Sequence, residues 1–124
     1  MEYKSKDHDK YEKELGKISS VSFGIGGYQD AMFGLTLSFD LKGSGFCDFV
    51  SGGWAYGVID PDSPHCKWNE SDREKSMARM CKIVCQILKD AKVDNISDLK
   101  GKPIEIAREG WNDIKSWRIL EEVL

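Results

Sequence analysis

The chain is short of the residues that usually announce chemistry. It holds two histidines, His8 and His65, and three prolines in 124 residues. No stretch approaches the roughly 20 consecutive apolar residues needed to cross a bilayer as a helix. The first ten residues, Met-Glu-Tyr-Lys-Ser-Lys-Asp-His-Asp-Lys, lack an apolar core and carry acids where a secretory leader would not. The expectation is a chain that stays in the cytoplasm where it is made. No run of basic residues stands out, and 18 Lys and Arg against 21 Asp and Glu give a net charge of −3. Proteins that live on phosphate backbones usually show a basic face, so direct nucleic-acid binding is not expected.

Cysteine occurs four times. Cys47, Cys66, Cys81 and Cys85 read as thiols in a reducing compartment. His65-Cys66 with Cys81 and Cys85 is the one conceivable metal set. Its spacing lacks the two close knuckle pairs of structural zinc, and Cys81 falls on the apolar stripe of a helix, so no metal is expected. Asp60, Asp62 and His65 could share a loop with Cys66, and Cys47 is a second thiol. No Ser or Cys sits in a nucleophile-elbow context, and acids flanked by proline ordinarily form turns. The reading is therefore no catalytic residues, no cofactor and no enzyme.

What the chain does have is ordinary globular composition, 40% hydrophobic and 31% charged, which sets it apart from a disordered chain. Residues 1–16 are mostly charged. Tyr11 and Leu15 are four apart, the spacing of one side of a short helix, and a frayed tail fits equally well. That segment is taken as a charged N-terminal appendage, and residues 17–124 as a single domain.

From Ile18 onward the pattern has period two. Val21, Phe23 and Ile25 alternate with Ser20, Ser22 and Gly24. After a Gly-Gly-Tyr-Gln-Asp loop, Phe33, Leu35, Leu37, Phe39 and Leu41 alternate with small or polar residues. Two such runs joined by a short glycine-containing loop predict an antiparallel hairpin. A third strand, Phe46 to Val50, follows the Gly43-Ser44-Gly45 turn, before the chain loosens into Gly52-Gly53-Trp54.

Asn69, with Glu70 and with Asp72 three residues on, is a helix-start signature. Met77, Met80, Cys81, Val84, Leu88 and Ala91 then fall at helical spacing, predicting an amphipathic helix of about five turns. Ile104 and Ile106 form a fourth strand, and Gly110-Trp111-Asn112-Asp113 a hairpin turn. Trp117 and Ile119 form a fifth strand. The order β-β-β-α-β-β predicts an α+β fold, a mostly antiparallel sheet with one long amphipathic helix packed on one face.

Nine of the twelve glycines lie between positions 24 and 57. They can expose backbone amides to an anion, but Gly24-Ile25-Gly26-Gly27 is neither a P-loop nor a dinucleotide fingerprint, and turns and bulges are the plainer use. The loop residues Tyr28, Gln29 and Asp30 combine an aromatic, an amide and a carboxylate. With Trp54, Tyr56 and Trp68 they make the candidate partner- or ligand-binding set, against the plainer alternative of core lids. Trp111 is a further loop aromatic.

Several segments resemble a family of small bacteriophage-encoded proteins. They are Gly26-Gly27-Tyr28-Gln29-Asp30-Ala31, Gly43-x-Gly45, Gly52-Gly53-Trp54, and Lys67-Trp68 ahead of Ser71-Asp72-Arg73. Further along come Leu88 to Val93, Leu99 to Glu105, and the closing Ser116-Trp117-Arg118-Ile119-Leu120 with Glu121 to Leu124. The resemblance runs from about residue 18 to the end. It departs at Phe46-Cys47, where the family more typically has Trp-Gly, and in the length of the Gly110–Asp113 turn. It brings no catalytic residues. It implies a non-catalytic accessory protein that binds and inhibits a host protein, for example a defence component such as a CRISPR effector. The alternative is a binder of a nucleotide or another small molecule, acting as a sponge for a signal.

Overall fold

The computed structural model of the chain describes residues 1–43 and 45–124, so Ser44 of the expected Gly43-Ser44-Gly45 turn lies outside the described residues. The strands are β1 (Glu2–Tyr3), β2 (Glu12–Gly26), β3 (Met32–Leu41), β4 (Gly45–Trp54), β5 (Pro103–Glu109) and β6 (Asp113–Ile119). One long helix, α1 (Glu70–Ala91), separates β4 from β5. The strands form a single sheet in the order β1-β6-β5-β2-β3-β4. Every neighbouring pair is antiparallel except β1 with β6. The fold is α+β, a curled, mostly antiparallel sheet with one helix against its concave face.

Strand β2 organises the sheet because it is long enough to serve two partners. Its first part, Glu12 to Lys17, pairs with β5, and Gly16 to Gly26 pairs with β3. Ile18 and Val21 are three apart, which would send them to opposite faces of a regular strand. A bulge between Ile18 and Ser20 restores the alternation, so both reach the core side.

In β3, β5 and β6 the core is what the period-two pattern predicts, whereas Phe23 and Ile25 of β2 are exposed. Ile18, Leu35, Leu37, Phe39, Ile104, Ile106, Trp117 and Ile119 are fully buried, together with Ile87 of α1 and Leu99 of the connection to β5. The Trp117 ring lies at its centre, 4.6 Å from Tyr3, 4.7 Å from Phe39 and 5.0 Å from Phe49.

Helix α1 begins as expected. Asn69 accepts from the Asp72 amide and Asp72 accepts from the Asn69 amide, both at 3.0 Å, a reciprocal capping box. Its buried face differs from the expected stripe. Arg73, Met80 and Ile87, seven apart, point inward with Asp90 and Ala91, whereas Cys81 is exposed. The centre of the apolar face is rotated from Cys81 toward Ile87, so Cys81 is a surface thiol and not a small core residue.

The largest departure is at the N-terminus. Residues 1–16 are not an appendage. β1 pairs with Ser116 and Trp117 of β6, and the Lys4 amide donates to the Trp117 carbonyl at 2.8 Å. Glu12 to Gly16 belong to β2. A short 3-10 turn at His8–Lys10 brings His8 against β5 and β6, where it is buried. The expected helical pairing of Tyr11 with Leu15 is absent because Leu15 lies within an extended strand.

Strand β4 also runs further than expected. Gly52, Gly53 and Trp54 are not loosened chain but pair in register with Gly34, Phe33 and Met32. The curl brings the two sheet edges toward each other. Met1 to Tyr3 and Phe49 to Gly52 wall the same groove, with Ser76, Arg79 and Ile83 of α1. On the convex side, the N-terminal segment contacts β5 and β6, while the outward residues of β2, β3 and β4 border an open groove.

Candidate binding face

Three glycines stand side by side across the open half of the sheet. Gly24 of β2 pairs with Gly34 of β3, which pairs with Gly52 of β4. Their φ angles are +156°, +154° and +156°, a region that side chains disfavour. A Cβ on Gly34 would lie 2.1 Å from the Ser51 carbonyl oxygen, and one on Gly52 2.1 Å from that of Phe33. These glycines therefore serve a fold line across three strands and not the turns expected of them. Such a line bends a sheet and leaves its surface bare of side chains.

Above this line is a groove of about 590 Å³. Ser22, Thr36 and the glycines form its floor, Val50 and Asp48 stand on the β4 side, and Ile25, Tyr28 and Met32 close the hairpin end. Val50 is 62% exposed and Tyr28 is 68% exposed, so the groove presents apolar side chains to solvent. Asp48 is the one charged residue lining it, and no Lys or Arg does among the described residues.

Tyr28, Gln29 and Asp30 form the 3-10 turn between β2 and β3, with Gln29 and Asp30 in the left-handed region at φ 53° and 54°. Only Tyr28 of the three lines the groove. The Gln29 amide approaches the Tyr28 hydroxyl at 3.5 Å, and both side chains face water.

Trp54, Tyr56 and Trp68 gather at the start of α1, where Tyr56 and Trp68 flank Arg73. The indoles of Trp54 and Trp68 stack at 5.9 Å with 5° between their planes. The Arg73 guanidinium lies 4.4 Å from the Tyr56 ring and 5.0 Å from that of Trp68. Arg73 is buried, donates to the Ala55 carbonyl at 2.9 Å and to that of Ile59 at 3.3 Å, and forms a two-pronged pair with Glu70. This cluster clamps the loop after β4 to the start of α1. An aromatic cage already filled by its own cation is a structural element first. Tyr56, 53% exposed, is the member most open to a partner.

The sequence also gave no sign of a buried polar chain on the convex face. His8 Nδ1 lies 2.8 Å from Ser116 Oγ and its Nε2 2.9 Å from Glu105 Oε1. The contacts imitate a nucleophile–base–acid row, but Ser116 is fully buried and its Oγ accepts the Ser5 amide at 3.0 Å. A hydroxyl without access to a substrate cannot act as nucleophile, so the row fastens the N-terminal segment. Burial pushes the Glu105 carboxyl up, but its hydrogen bonds with His8 and Arg118 outweigh that and hold it below the usual range.

The remaining candidates do not converge. His65 is exposed on the 55–69 loop, Cys66 donates to the Trp68 carbonyl at 3.2 Å, and Cys81 and Cys85 lie on the exposed side of α1. No group of three or more metal-ligating side chains is found among the described residues. Burial, with Asp48 adding to it, pushes the Cys47 thiol up to about 11, which keeps it protonated near neutral pH. Among the described residues no helix is long and apolar enough to cross a membrane.

The chain matches no family model, no curated protein and no solved structure.

Proposed function

We propose that the chain is a non-catalytic binding protein that captures another protein on the convex face of β2, β3 and β4. The observation that carries this reading is the groove above the Gly24–Gly34–Gly52 line, with exposed Tyr28 and Val50 around a floor without bulky side chains. Apolar side chains held in water beside a preformed hollow suit the insertion of a partner's side chains. The resemblance to small phage-encoded proteins supplies the candidate target, a host protein, and first among these a defence complex such as a CRISPR effector. The groove favours a nucleotide less. Its lining includes no Lys or Arg, and Asp48 would repel phosphate.

The test is a plasmid-interference assay in bacteria carrying an active CRISPR system, with and without the chain. Wild type should restore the targeted plasmid, and Tyr28→Ala and Thr36→Lys should abolish the effect while leaving the protein folded. Loss of protection in every system tried would remove the defence target. Protection that survives both substitutions would remove the groove as its site.

A further inference from the structure

We propose that the glycine-floored groove takes an arginine side chain of the bound protein, with its guanidinium on Asp48 and the backbone of the same segment over the Gly24–Gly34–Gly52 line. This rests on the reading of the groove as a protein-binding site and names what enters it.

The outward residues of β2, β3 and β4 form rows across the sheet, fixed by the register of the strands. Gly24, Gly34 and Gly52 make one row, Ser22, Thr36 and Val50 the next, and Ser20, Ser38 and Asp48 the one after. Over the glycine row no side chain stands in the way, so another backbone can lie close to the sheet there. A side chain leaving that backbone toward Asp48 crosses the Ser22–Thr36–Val50 row. Four residues of strand, about 13 Å, separate Gly52 from Asp48. The occupant must therefore be long, and arginine has the longest arm of the charged side chains. Its methylenes find the exposed apolar side chain of Val50 on the way, and its N–H groups find the Ser22 and Thr36 hydroxyls as acceptors.

Charge selects the cation. Among the described residues Asp48 is the one charged side chain lining the groove, it is exposed, and it forms no ion pair. Its cross-strand neighbour is Ser38. The next outward carboxylate of the sheet, Asp40, stands opposite Lys17 and so has a cation of its own chain beside it. Asp48 has no such neighbour. A planar guanidinium can engage both carboxylate oxygens at once, which the ammonium of lysine does not match. An apolar side chain in the same place would take water from the carboxylate and give it no partner.

A displayed library of random short peptides, selected on the immobilised chain, tests this. Selected peptides should share an arginine, and selection on Asp48→Asn should lose it. For one such peptide, replacing the arginine by citrulline, its uncharged isostere, should weaken binding to the wild-type chain by about tenfold or more, and to Asp48→Asn hardly at all. Asp98→Asn, which removes an exposed carboxylate that does not line the groove, should leave the affinity unchanged. Peptides without a shared arginine overturn the proposal and leave the groove reading standing. So does an arginine whose loss costs as much in Asp48→Asn as in wild type. Selection that yields no peptide, or that is equally strong on Thr36→Lys, removes the groove as a protein-binding site and the proposal with it.

Discussion

At the scale of single residues, the glycines of the sheet separate two effects that usually come together. Gly24, Gly34 and Gly52 share nearly the same φ, but only Gly34 and Gly52 are crowded. A Cβ on Gly24 meets nothing within 4 Å. Gly24→Ala should therefore cost backbone strain alone, about 1–3 kcal/mol. Gly34→Ala adds a collision with backbone that no rotamer relieves, and should cost above about 4 kcal/mol. Urea unfolding of the two variants measures the difference, and equal losses would mean that β3 and β4 separate freely at the fold line. The sequence showed the abundance of glycine but not its alignment, because register between strands sets which glycines become neighbours. Arg73 was illegible for a similar reason. Nothing local indicates that a charged residue will be buried, and the rings and carbonyls that hold it come from the preceding loop.

At the scale of elements, alternation and capping were legible wherever the partner was near in sequence. The β2–β3 and β5–β6 hairpins and the start of α1 follow from patterns a few residues long. The first part of β2 did not, since Glu12 to Lys17 pair with residues about ninety positions away. Nor did the tie at the end of α1, where Asp90 accepts from Tyr3 at 2.5 Å, Lys4 at 3.1 Å and Gln86 at 2.8 Å. Burial pushes the Asp90 carboxyl up, but these hydrogen bonds outweigh it, so its pKa lies below the ordinary value, as that of Glu105 does. A carboxylate depressed in the folded state stabilises fully above its unfolded pKa, and that contribution is lost as pH falls through the folded value. Stability should thus be level from neutral pH down to about 4.5 and decline below it. Asp90→Asn should be less stable at pH 7 and show a shallower decline, so that the two curves converge in acid. Urea midpoints across this range would test it, and parallel curves would show that Asp90 adds no pH dependence.

At the scale of the whole molecule, the convex face of one sheet is divided between two uses. The N-terminal segment covers β5 and β6, and β2 to β4 keep the groove. This division makes the first eleven residues a structural part of the fold, where charge and a lack of apolar spacing made them look like a tail. The two views differ in what they expect on perturbation. A tail could be removed without effect. In the folded chain, removing residues 1–11 takes the Tyr3 ring from Trp117, the hydroxyl and ammonium from Asp90, and the imidazole from Ser116 and Glu105. Each change leaves apolar surface or a buried polar group without its partner. The truncated chain should accordingly lose most of its cooperative unfolding, followed by circular dichroism on heating. Because that chain could fail to fold at all, His8→Ala gives the graded version. It leaves β1 and β2 in place and strips one partner each from Ser116 and Glu105, a loss of about 1–3 kcal/mol. For a chain of this length that corresponds to a fall in Tm of about 5–10 °C. Hydrogen exchange in the same variant should rise in β6 around Ser116 and stay unchanged around Gly34, on the other half of the sheet. An unchanged Tm in both variants would return the N-terminal segment to the status of a tail and leave the whole convex face open to a partner.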